Sequence, residues 1–115
     1  MTAKELSKLC YLNQEIAQAR QELTEVHRST WKASAEEAAE LTAKKKALQE
    51  KIRRRKEERD RLWAYIDAVE DAQIRRILDL RFAKRLSWAQ VAFRMGGGNT
   101  ADGVRMMCFR YLRDH

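Results

Sequence analysis

Apolar residues recur at three- and four-residue steps through Leu9, Leu12, Ile16, Ala19, Leu23 and Val26, ending near Thr30. That step is the seam of a heptad helix, with Glu15, Arg20, Glu22, Glu25 and Arg28 around it. It predicts one helix from about residue 3 to residue 30. The stretch HRSTWKASAEE (27–37) interrupts the pattern. Within it, Ser34 and Glu37 have the spacing of a capping box, in which hydroxyl and carboxylate each take the other residue's amide. A turn near residues 30–34 is expected, with an unbroken helix as the alternative. The second helix, about 35–68, carries Ala38, Leu41, Leu48, Ile52, Leu62, Ile66 and Val69, but Lys45, Arg55 and Arg59 fall where its seam would continue. Such a seam fits the longer arm of an antiparallel hairpin, or one part of a bundle completed by another subunit. With so little core in the front half, Leu9, Leu12, Ile16, Leu23 and Val26 form a candidate oligomerisation seam, a dimer being the first expectation.

Beyond residue 68 the pattern shortens into three helices with signals at their ends. Asp71 caps a helix through Ile74, Ile77, Leu78 and Leu80 to Phe82, which ends on Ala83-Lys84-Arg85, cations suited to a helix C-terminus. Ser87 and Gln90 repeat the capping-box spacing, with Leu86 as hydrophobic staple, and the next helix runs through Val91, Ala92 and Met95. Gly96-Gly97-Gly98 supplies positive φ for a steep change of direction. Asn99 or Thr100 caps the last helix, whose inward face is Val104, Met107, Cys108, Tyr111 and Leu112. Asp102, Arg105, Met106, Phe109, Arg110 and Arg113 are left outward. Trp63, Trp88 and Phe93, at helical spacing, are expected to pack in the core or hairpin. The fold class is therefore all-α: an antiparallel helical hairpin or coiled coil over 1–68, then a three-helix helix-turn-helix domain over 69–115.

Composition agrees: Pro is absent and Gly numbers four among 115 residues, which excludes sandwiches, barrels and parallel sheets. No apolar stretch is long enough to span a membrane, and the charged N-terminus does not read as a secretory signal. A cytoplasmic location in a bacterial host cell is expected, without membrane association. The net charge is +7, and residues 71–115 hold nine basic against four acidic groups, so most of the excess sits at the C-terminal end. That distribution points to a polyanion there. The run KKKALQEKIRRRK (44–56) could track phosphates, but the near-neutral balance of 34–70 favours a solvated helix pairing its cations with Glu at i±4. Cys10, Cys108, His27 and His115 lack metal-ligand spacing, so neither a metal nor another cofactor is expected.

The segment RRILDLRFAKRLSWAQVAFRMGGGNTADGVRMMCFRYL (75–112) resembles region 4 of bacterial sigma factors, and more closely the small sigma-region-4-like proteins of phages and prophages. The matching elements are Leu80-Arg81-Phe82, Leu86-Ser87-Trp88, Val91-Ala92, Met95-Gly96, Val104-Arg105 and Arg110-Tyr111-Leu112, over about a third of the chain. Residues 1–70 stand where sigma factors carry their core-binding regions. The resemblance thus implies regulation through double-stranded DNA rather than promoter initiation, with RNA polymerase as a possible protein partner. A recognition helix enters the major groove by its first turns. Asn99, Thr100, Asp102, Arg105 and Met106 are the candidates for base edges, Arg105 for guanine N7 and O6. Lys84, Arg85, Ser87, Arg94, Arg110 and Arg113 are the candidates for phosphate.

Three functions compete at this point. The leading one is a sequence-specific, phage-type transcriptional regulator that oligomerises through its front helices. A phage small terminase subunit also joins a helix-turn-helix to oligomerising helices. A coiled-coil adaptor would use the C-terminal domain to bind protein, such as RNA polymerase. Catalysis is not expected: there is no nucleophile–base pair, and the Gly-rich turn lacks both a preceding strand and a following Lys-Ser/Thr.

Overall fold

The computed structural model describes residues 1–115 and is all-α. Its helices are α1 (Ala3–Leu6), α2 (Lys8–Ser29), α3 (Ala35–Asp67), α4 (Ala72–Leu78), α5 (Trp88–Met95) and α6 (Ala101–Asp114). A 3-10 turn covers Thr30–Lys32 and a π turn covers Asp79–Ala83. No helix is long and apolar enough to cross a membrane. The single helix expected from residue 3 to 30 is broken at Ser7, whose hydroxyl donates to the Ala3 carbonyl at 2.7 Å. A serine that bonds back four residues competes with the regular ladder there. The turn before α3 lies where the capping box marks it. The Glu37 amide donates to Ser34 Oγ at 3.3 Å and the Ser34 amide to Glu37 Oε2 at 3.4 Å.

The contacts divide the chain into two compact units: Leu12–Arg59, and Met1–Tyr11 together with Asp60–His115. This differs from the expected boundary at 68/69. Leu6, Leu9, Leu62 and Ile66 are buried in the same unit as the C-terminal helices, because α4 to α6 are too short to enclose a core alone.

In the unit Leu12–Arg59, α2 and α3 run antiparallel. Ile16, Ala19, Val26, Leu48 and Ile52 form its core, with Leu23 and Leu41 packed against it. The seam expected to join two chains is thus closed within one. Leu9, Leu12, Ile16 and Val26 are buried and Leu23 is half-buried by the chain's own residues, so none presents a free face to a second copy. The charged interruptions have a use inside the hairpin. Arg59 donates to Asn13 Oδ1 at 3.4 Å, and Glu15 Oε2 lies 2.7 Å from Arg55 Nε. Other cations of the basic run pair within α3: Glu50 takes Arg53 and Arg54, and Arg53 reaches Glu57 at 2.6 Å. Hydrogen bonds from those guanidiniums hold the Glu50 carboxyl down to about 2. These are solvated i±3 and i±4 pairs, as the charge balance suggested.

In the other unit, α4, α5 and α6 pack pairwise on one another. They bury Ile74, Ile77, Leu78, Val91, Ala92, Val104, Cys108 and Leu112. Cys108 is fully covered, and burial pushes its thiol up to about 11 while Arg81 pulls the other way.

Three outcomes test this packing. Leu62→Ala, at a fully buried position, is expected to cost about 2–5 kcal/mol in urea unfolding. In the native protein near pH 8, a thiol reagent should label Cys10 and spare Cys108. Because the Cys108 value is raised on folding, its contribution is intact below about pH 9 and is lost as the pH climbs towards about 11, so alkaline melts should show a falling Tm.

Candidate nucleic-acid interface

The site is built from helix ends. Asp71 Oδ1 accepts from the amides of Gln73 at 2.9 Å and Ile74 at 3.1 Å, starting α4. The π turn follows, with the Lys84 amide bonded to the Asp79 carbonyl at 3.1 Å. Arg85 then takes φ +58°, a left-handed conformation that costs a residue with a Cβ about 1–2 kcal/mol. The Leu86 amide bonds back to the Leu80 carbonyl at 3.2 Å, so the chain leaves the turn at a sharp angle. Arg81 anchors this corner twice: Nη1 donates to the Leu86 carbonyl at 2.9 Å, and the guanidinium lies 4.5 Å from the Trp88 ring centroid. Trp88 in turn meets Phe109 of α6 at 5.9 Å, the rings tilted by 59°.

The expected capping box opens α5, with the Ser87 amide on Gln90 Oε1 at 2.9 Å and the Gln90 amide on Ser87 Oγ at 3.2 Å. Gly96, Gly97 and Gly98 take φ of +68°, +63° and +79°. Asn99 closes the turn by donating Nδ2 to the Gly96 carbonyl at 2.6 Å. Thr100 caps α6, its Oγ1 accepting from the Gly103 amide at 3.0 Å. A Cβ on Gly103 would come within 2.9 Å of that oxygen, so this glycine leaves room for the cap.

From there α6 buries Val104, Cys108 and Leu112 at every fourth residue, with Met107 and Tyr111 half-buried beside them. Asp102, Arg105, Met106, Phe109, Arg110 and Arg113 are exposed. Of the five base-edge candidates, Asn99 and Thr100 are engaged in the turn and the cap, while Asp102, Arg105 and Met106 form a continuous open stripe. Arg105 Nη2 lies 3.5 Å from Asp102 Oδ1 one turn earlier.

The six phosphate candidates fare differently. Lys84 sits 3.6 Å from Asp79, Arg113 contacts Asp114 at 3.2 Å, and the Arg85 guanidinium lies 5.2 Å from the Tyr11 ring centroid. Ser87 is held in the capping box. Arg94 and Arg110 are exposed, and the Arg94 carbonyl accepts from Arg76 at 3.3 Å. Phe93 is not packed as its spacing suggested. It is 85% exposed, above a shallow surface of Leu86, Ala89, Gln90 and Arg94, because Val91 and Ala92 alone take the buried side of the short α5.

The stack of Arg81, Trp88 and Phe109 escaped the sequence reading. Its members come from three separate elements, so no single helix period joins them. Comparison with protein families, with curated proteins and with solved structures gives no match.

The cap makes a sharp prediction. Gly103→Ala in an ordinary helix would gain about 1 kcal/mol. Here the methyl group displaces the cap oxygen, whose loss costs about 1 kcal/mol. The variant should therefore melt close to the parent, whereas in a Thr100→Ala background the same change should raise Tm.

Proposed function

We propose that this chain is a sequence-specific DNA-binding regulator of transcription, sigma-region-4-like and of phage type, with α6 as its recognition helix. The observation that carries the reading is the exposed stripe of Asp102, Arg105 and Met106 on the first turns of α6, followed by Arg110 and Arg113. A guanidinium is the commonest reader of guanine, and cations further along the same helix suit the flanking phosphates. The cationic excess of residues 71–115 supports the same reading. If dimers bind DNA, they form through a surface other than the closed seam of α2.

With about five phosphate contacts, log K should fall against log salt with a slope of about −4 to −5. Arg105→Ala should weaken binding to the preferred duplex by roughly 1–3 kcal/mol and relax discrimination at one position. Adding Arg110→Ala should reduce the salt slope by about one. Anisotropy titrations on a duplex selected from random sequence measure both effects. Unchanged affinity and slope in the double variant would overturn the assignment. A second reading, in which the domain binds protein such as RNA polymerase, is favoured by exposed Phe93 and the shallow surface around it. It predicts that Phe93→Ala abolishes capture of a protein partner while leaving DNA titrations unaltered.

A further inference from the structure

We propose that Met106 reads the 5-methyl group of a thymine lying within a few base pairs of the guanine that Arg105 contacts, so that the recognised duplex carries both bases close together. This rests on the DNA-binding reading above and narrows it to a kind of site.

Met106 is 54% exposed on the open side of α6. Burial does not account for it, since Val104, Cys108 and Leu112 hold the buried side. Phe109, the other large apolar residue on that side, has the Trp88 ring as a partner within the protein. Its nearest neighbours along the stripe are polar and select the surroundings. Asp102 is one turn earlier, its side chain 87% exposed, and it holds Arg105 at 3.5 Å. A carboxylate so open is repelled by a phosphodiester, which turns this stripe to the base edges and leaves the backbone to Arg110 and Arg113. On the floor of the major groove, thymine alone among the four bases offers an apolar group, its C5 methyl. An unbranched thioether chain adapts its shape to such a contact.

Proximity follows from helix geometry. Arg105 and Met106 are consecutive, so their Cα atoms lie about 3.8 Å apart and their side chains diverge by about 100° around the axis. That divergence spreads the two side chains over a few base pairs, on one strand or across both.

Deoxyuridine differs from thymidine by this methyl group alone, so the test needs no change to the protein fold. A duplex is first selected from random sequence with the full chain, and each thymine near the enriched guanine is then replaced singly by deoxyuridine. At one position, replacement should weaken binding of the parent protein about fourfold, the effect of removing one buried methyl-sized group. Met106→Gln should bind the thymine and uracil duplexes alike, with an unchanged salt slope. Sequence enrichment with no sensitivity to uracil at any position overturns the role of Met106 and leaves the DNA-binding reading standing. Full uracil sensitivity retained by Met106→Gln also overturns it. Absence of any enrichment, or of DNA binding, removes both readings together.

Discussion

Between α5 and α6 the backbone must change direction within a few residues, and only residues without a Cβ hold positive φ there at little cost. Gly96, Gly97 and Gly98 do so in succession. Freedom alone would leave the turn loose, so Asn99 ties it by donating to the Gly96 carbonyl, and Thr100 begins the next helix at once. The position of every residue on α6 descends from that sequence of events. Val104 falls inward because the cap fixes the first turn, and Arg105 and Met106 fall outward for the same reason. The glycines thus set, through helix phase, which residues α6 turns outward.

A second corner complements the first. Arg85 stands in a left-handed conformation without being glycine. The structure around it compensates: Arg81 binds the Leu86 carbonyl, Leu86 bonds back to Leu80, and the capping box engages immediately at Ser87. Strain of this size persists where neighbours over-determine the backbone. Because Arg81 also lies against Trp88, and Trp88 against Phe109, the same guanidinium links the corner before α5 to the outer side of α6.

What could be read beforehand was whatever is decided within four or five residues. Ser34 with Glu37, Asp71, Ser87 with Gln90, and Thr100 all start helices where their side chains signal it. The outward set on α6 was legible too, since a single helix obeys one period. Decisions made over longer distances were not. The seam of α2 has the same spacing whether its partner is a second chain or its own α3; the core it shares with Leu48 and Ile52, and the pairs of Arg55 with Glu15 and Arg59 with Asn13, decide it. Phe93 follows exposed Ala89 and Gln90 by four and three residues, so it lies on the outer side of α5, away from Val91. The grouping of Leu6 and Leu9 with the C-terminal helices joins residues far apart in sequence, for which no local pattern exists.

That last grouping bears on how the protein comes into being. Leu6 and Leu9 leave the ribosome long before Leu62, and longer still before Val104, yet all belong to one compact unit. Its pairings are of high contact order, so the loop-closure entropy must be met before α4 to α6 gain their full enclosure. The hairpin Leu12–Arg59, built from local contacts, can mature during translation, while α6 waits for the remainder. For the same reason the C-terminal helices are poorly suited to gene fusion or modular exchange: cut free at residue 69, they would leave behind part of the interior that keeps them upright.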